Sequence, residues 1–219
     1  MKIPVSLSLL LCIALSGCGG SPLPAIQVAA WGDSLTAGVG GAGVSYPTVL
    51  GQLIHATVFD GGEGGDTSTV IAARMLADPP SFGDVTIIWA GRNNYFDQAQ
   101  VLADVASMVA ALSTPKRFLI LSVLNGSYGS WEAKGGQGYG EIIALNKALK
   151  AAYPHNFLDI RSLLVAQYDP SLPQDVIDHA NDTPPTSLRS DVLHLNAAGY
   201  TFVGQQIFKA FHSSAFPWY

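Results

Sequence analysis

The chain has 219 residues, 48% of them hydrophobic and only 12% charged, with a formal net charge of −5. That composition excludes a disordered chain, and the length suits one well-buried domain rather than two. An acidic balance attracts no polyanion, so no nucleic-acid partner is expected.

The N-terminus, MKIPVSLSLLLCIALSGCGG, carries a positive charge at Lys2, an apolar run over 3–15 and then small residues. It reads as a secretory signal, too short and wrongly flanked for a membrane-spanning helix. Its end, LSGC at 15–18, resembles the lipobox of bacterial lipoproteins, which implies removal of 1–17 and lipidation of Cys18. Cys12 leaves with the signal, so one cysteine and no disulfide remain. The expected organisation is a signal over 1–17, a tether over 18–24 and one domain over 25–219. The protein is then exported and anchored to a membrane through Cys18; Gly rather than Asp after that cysteine favours an outer membrane, where such sorting operates.

Strand and helix patterns alternate downstream. Strands are expected over 26–31, 56–60, 84–91, 116–124 and 157–160, and helices over 46–55, 67–77, 98–112, 139–153 and 197–211. The run DVTIIWAG at 84–91 is apolar on both faces, as a parallel strand covered on both sides requires. The alternation predicts an α/β fold with a parallel sheet flanked on both sides by helices. Two segments rich in Gly, Pro, Ser and Asp, 125–138 and 168–190, break the rhythm. They are expected as loops near the carboxyl edge of the sheet, where open α/β folds bind ligands.

The first strand runs into VAAWGDSLTAGVGGAG, which admits two chemistries. Gly38, Gly40 and Gly43 spell G-x-G-x-x-G, with Asp60 roughly where a ribose-binding acid belongs. However, Gly-Asp-Ser-Leu-Thr-Ala separates the strand from these glycines, so they miss the helix N-terminus that would hold a pyrophosphate. An exported protein also has no ready supply of nicotinamide. No cofactor is therefore expected, and the glycines read as a pliable rim beside a pocket.

The other chemistry is nucleophilic. Asp33 or Ser34 could simply cap the following helix, and the pattern is not the G-x-S-x-G elbow. RSDVLHLNAAGY at 189–200 shifts the balance, because Asp191 lies three residues before His194. A serine needs a base, and an imidazole works best with a carboxylate fixing its tautomer. DGGEGGDTST at 60–69 and AGRNNYF at 90–96 follow the second and third strands and offer a close backbone N–H and an asparagine amide. Three strand ends thus deliver Ser, Gly and Asn to one edge.

These four blocks, GDSLTAG, GGDTS, GRNN and DVLHLNAAGY, resemble those of the SGNH (GDSL-type) hydrolases in order and over nearly the whole domain. The resemblance implies Ser34 as nucleophile, His194 as base, Asp191 as orienting acid, and an oxyanion hole from Ser34 N–H, Gly65 and Asn93. It also implies a three-layer α/β/α sandwich with a flavodoxin-like, five-stranded parallel sheet, and no metal. Three departures bear on substrate: Asn94 stands where an aspartate is usual, Arg92 is bulkier than the common residue, and Asp60 replaces a frequent Asn.

Weaker candidates remain. His179 beside Asp178 and Asp182 suggests a metal site, but acidic residues in a Pro-rich segment more often face solvent. His55 and His155 read as structural. Tyr128, Trp131 and Tyr139 either line an acyl or sugar pocket or pack the glycine-rich loop. The expected activity is hydrolysis of carboxylic esters of small to medium acyl groups through an acyl-enzyme. Alternatives are an O-acetyl esterase acting on carbohydrates, a lysophospholipase or thioesterase, and, from another class, a non-catalytic surface binding module.

Overall fold

The computed structural model describes residues 28–213. The expected signal, Cys18, the tether and the start of the first expected strand lie outside them. Five strands, β1 (Val28–Gly32), β2 (Val58–Gly62), β3 (Val85–Trp89), β4 (Phe118–Leu121) and β5 (Phe157–Leu158), pair in parallel in the order β2-β1-β3-β4-β5. Gly32 is level with Gly62 on one side and Trp89 on the other. That register aligns three strand ends, and Ser34, Gly65 and Asn93 follow two, three and four residues beyond them.

The sheet separates two cores, because alternate residues of a strand face opposite sides. On one face Val28, Ala30, Ile87, Trp89, Leu119 and Leu121 meet helices α1 (Tyr46–Ile54), α5 (Ile160–Val165) and α7 (Ala197–Phe211). On the other, Ala29, Trp31, Ile88, Phe118 and Ile120 meet α2 (Ser68–Ala77), α3 (Gln98–Ala111) and α4 (Gln137–Ala152). This is the three-layer sandwich the sequence implied. Ser45 caps α1 by accepting from Thr48 N–H, with Pro47 in the first turn. Asn196 caps α7 by accepting from Gly199 N–H.

Several elements depart from expectation, β2 by running two residues later than the 56–60 expected. β4 stops at Leu121 because the Asn146 amide of α4 takes over the pairing, accepting from Val123 N–H at 2.7 Å and donating to its carbonyl at 2.8 Å. β5 has two residues, since Asp159 accepts from Ser162 N–H and turns the chain into α5. Residues 168–190 are not simply a loop: they contain α6 (Pro173–Ala180) and a short turn at Thr186–Leu188. The buried positions of α6 are Asp175 and Asp178, while Val176 and Ile177 are 43% and 52% exposed. Its pattern inverts the apolar periodicity by which a helix is read.

Gly38, Gly40 and Gly43 have φ of 76°, 86° and 90° and shape turns between β1 and α1, with Gly38 packed against Ser45, the N-cap of α1. Gly38 and Gly40 are not a pliable rim, although the space around Gly43 is open. Tyr200 of α7 donates to the Val39 carbonyl at 2.7 Å, and a Cβ on Gly40 would collide with the Ser190 hydroxyl and the Leu195 carbonyl. The loop after Ser34 is thus packed against the segment that carries His194.

Candidate active site

At the end of β1 the Asp33 carboxyl accepts from Leu35 N–H, and its carbonyl accepts from the N–H groups of Thr36 and Ala37. Asp33 therefore caps this turn and Ser34 does not. The Ser34 hydroxyl points elsewhere, to His194 Nε2 at 3.0 Å. Asp33 itself is buried, which pushes its carboxyl up to about 6 despite the Leu35 hydrogen bond and the nearby Arg92 charge.

His194 rides on a tight turn. Asp191 Oδ1 accepts from the N–H groups of Leu193 and His194, both at 2.7 Å, and Oδ2 faces His194 Nδ1 at 2.7 Å. The D-x-x-H spacing lets one carboxylate shape the turn and hold the ring it carries. Burial would raise the Asp191 carboxyl, but these N–H and imidazole contacts outweigh it and hold it below the usual carboxylate range. An ionised carboxylate only accepts, so Nδ1 carries a proton, and in the neutral ring Nε2 is the nitrogen left to accept from Ser34 O–H.

The other ingredient is a place for negative charge. Among the described residues, the N–H groups of Ser34 and Gly65 donate to no backbone or side-chain acceptor. Gly65 has φ +85°, and a Cβ built on it would meet nothing within 4 Å. Glycine is required there by backbone conformation, and the space before it is open to a ligand. The preceding Gly64 lies beside Ser34, its would-be Cβ 4.0 Å from the serine Cβ. Asn93 Nδ2 donates one hydrogen to the Asp66 carbonyl at 2.8 Å, which orients the amide and leaves its second hydrogen available. The structure thus brings Ser34, His194 and Asp191 into one chain, with Gly65 and Asn93 on the level strand ends beside it.

The departures have local causes. Asn94 accepts from Ser68 N–H at 3.0 Å and donates to Ser68 Oγ at 2.9 Å, while that hydroxyl donates to Asp104 at 2.6 Å. With the serine proton committed to Asp104, only an amide at position 94 can satisfy both contacts. Arg92 is buried between the rings of Tyr95 and Tyr128 and donates to Glu132 at 2.9 Å. Glu132 also accepts from Gly126 N–H at 2.6 Å, so Arg92 fastens the end of β3 to the glycine-rich segment. Asp60 accepts from Gly62 N–H and from Ser45 at the start of α1, a structural role outside the site.

The motifs did not reveal Arg74 on α2, whose guanidinium donates to Asp66 at 2.7 Å, to the Gly61 carbonyl at 2.9 Å and to the Gly32 carbonyl at 3.0 Å. It clamps the ends of β1 and β2 and steadies the residue whose carbonyl holds Asn93. The suggested metal cluster does not assemble: His179 stacks on Tyr168 at 3.9 Å, Asp178 binds Arg189 and Asp182 binds Arg161. Among the described residues no group of three His, Cys, Asp or Glu could hold a metal. Tyr139 packs, donating to Asp182 at 2.7 Å, whereas Tyr128 and Trp131 remain about 45% exposed.

Residues 30–202 match the GDSL-like Lipase/Acylhydrolase family. The chain belongs to this family. Its fold is shared with a G-D-S-L family protein from Desulfitobacterium hafniense (TM-score 0.66, 19% identity, 84% of this chain and 99% of that one). It is shared as well with a lipase/acylhydrolase from Enterococcus faecalis (TM-score 0.62, 18% identity, 85% and 95%). Over 116 residues the chain is 36% identical to the tail spike protein of Salmonella phage epsilon15, which covers 51% of this chain but about a tenth of the tail spike.

Proposed function

We propose that this GDSL-family acylhydrolase is a serine esterase that cleaves carboxylic esters of small to medium acyl groups. The observation that carries the reading is the continuous chain from Asp191 through both ring nitrogens of His194 to Ser34, with separations of 2.7 and 3.0 Å. Ser34 Oγ attacks the ester carbonyl while His194 Nε2 takes its proton, and Asp191 stabilises the imidazolium. Negative charge on the carbonyl oxygen is received by the N–H groups of Ser34 and Gly65 and the free hydrogen of Asn93. The imidazolium returns its proton to the departing alcohol, leaving an acyl-serine. Water, deprotonated by the same Nε2, then releases the acid and restores Ser34.

The deciding experiment compares hydrolysis of p-nitrophenyl acetate and butyrate by the wild type and Ser34→Ala. We expect loss of about 10³-fold or more in the variant; equal rates overturn the reading. Failure of a fluorophosphonate to label Ser34 would instead favour a non-catalytic binding module.

A second reading, O-acetyl ester cleavage on carbohydrates, draws on one observation. Phe96 is 69% exposed and Tyr128 and Trp131 about 45%, on the segments that follow Asn93 and that Arg92 and Tyr95 fasten to it. Exposed aromatic rings, that of Trp131 held by its Nε1 donating to the Tyr95 hydroxyl at 3.0 Å, suit the apolar face of a sugar ring. Faster turnover of acetylated oligosaccharides than of medium-chain esters would favour it. The proposed location is an envelope membrane, reached through lipidated Cys18. Among the described residues no helix is long and apolar enough to cross a membrane, and loss of detergent-phase partitioning in Cys18→Ser would support the anchor.

A further inference from the structure

We propose that Arg189 is the positioning residue of the base-bearing turn, acting through Asp191 and anchored by Asp178 of α6. The proposal rests on the reading of Asp191 and His194 as acid and base. Arg189 is 92% buried in a segment without sheet neighbours beyond its own bridge to Leu195. Every nitrogen of its guanidinium is used: Nε donates to the Pro184 carbonyl at 2.8 Å, Nη1 to the Asp191 carbonyl at 3.0 Å, and Nη2 to Asp178 Oδ2 at 2.9 Å and Thr186 Oγ1 at 3.0 Å.

Asp178 is buried as well and receives the Thr186 N–H at 2.7 Å and its hydroxyl at 2.6 Å. One rigid fork thus spans from α6, across 184–186, to the backbone of the acid. The bonds that Asp191 Oδ1 accepts come from Leu193 and His194, within its own turn. They fix the shape of the turn, whereas the Arg189 bond to the Asp191 carbonyl sets where the carboxylate stands beside the His194 ring. The Asp191 side chain is 49% exposed, so packing does not hold it in place. Arg189 supplies the side-chain tie from this turn to α6, alongside the Ser127 N–H that donates to the Val192 carbonyl at 2.7 Å. A lysine, with one ammonium, cannot reach the Pro184, Asp191 and Asp178 acceptors together.

The test measures kcat and KM for p-nitrophenyl acetate in Arg189→Met, Arg189→Lys and Asp178→Asn, alone and in an Asp191→Asn background. Arg189→Met should lower kcat about 10- to 100-fold with KM within about twofold, since an ångström of misplacement costs about that much. Arg189→Lys should recover part of the loss, and Arg189→Met should add nothing once Asp191 is already Asn. Wild-type kcat in folded Arg189→Met, or a loss carried undiminished into the Asp191→Asn background, overturns the proposal. If Arg189→Met does not fold, Asp178→Asn decides: a kcat loss absent from the Asp191→Asn background supports it, and unchanged kcat overturns it. Ser34→Ala is read separately, because full activity there defeats the esterase reading whatever Arg189 does.

Discussion

The two halves of the site are built differently. The nucleophile half stands on the level ends of β1, β2 and β3, where sheet hydrogen bonds fix the backbone and short motifs suffice. The base half stands on a turn between α6 and α7 that has no sheet beneath it, and buried ions hold it instead: Asp175 on Ser187, Asp178 on Thr186 and Arg189. A sheet edge fixes its backbone by strand pairing and uses Arg74 and Arg92 only to brace the loops beyond it; the turn, with no such pairing, leans on its buried ions throughout, at the desolvation cost such pairs carry.

That contrast can be broken most forcefully at His194. His194→Ala should lower kcat/KM about 10³-fold or more, and Ser34→Ala/His194→Ala should be no worse than either alone. Multiplying losses in steady-state rates would mean that the halves do not act as one unit. Next in size, Asn93→Ala should lower kcat about 10²- to 10³-fold with little change in KM, as loss of one oxyanion donor does. A change confined to KM would place Asn93 in substrate binding instead.

Asp33 sharpens the comparison, being a buried acid beside the nucleophile. Its carboxyl is raised to about 6, so the folded protein holds this proton where the unfolded chain releases it. The stability this group contributes is full below about pH 4 and lost as pH rises through 6. A displacement of that size corresponds to about 3 kcal/mol at most. Asp33→Asn, whose amide oxygen can still accept from Leu35, should remove that part of the decline; urea midpoints from pH 4 to 7 measure it. An unchanged pH slope would show that Asp33 is ionised at little cost.

The smallest effect is expected at Asn94. Asn94→Asp would place two carboxylates on the Ser68 hydroxyl and should cost about 1–3 kcal/mol, with Asp104→Asn restoring part of it in the double variant. Thermal unfolding of the three proteins checks this, and additive losses would exclude the shared hydroxyl as the cause.

The same division explains what the sequence made legible. Strands β1, β3 and β4 are apolar on both faces, so the parallel sheet could be read directly, and each motif of the nucleophile half sits just past a strand end. Asp191 and His194 were legible because one carboxylate shapes the turn three residues ahead of its histidine. Helix α6 was not, because its inward face carries Asp175 and Asp178 and its outward face Val176 and Ile177. Arg74 and Glu132 were missed for a different reason: each meets a partner about 40 residues away, Gly32 and Arg92, and nothing local distinguishes them from surface charges; the partners of Arg189 lie within 11 residues, on or beside the segment read as a loop. The roles of Asn94 and Arg92 needed Asp104 and Glu132, 10 and 40 residues away. The anchor proposed at Cys18 falls outside the described residues.

Gly40 gives this arrangement a practical edge. It belongs to the chain that leaves the nucleophile, yet it lies against Ser190 and Leu195, which bracket the base. An alanine there would be strained by its φ of +86° and would drive a methyl group between the two halves. Such a variant would keep Ser34, Gly65, Asn93, Asp191 and His194 intact while parting hydroxyl from imidazole. An inventory of motifs would score it as active, so in homologues a side chain at this seam would flag a silent site that the five residues themselves cannot.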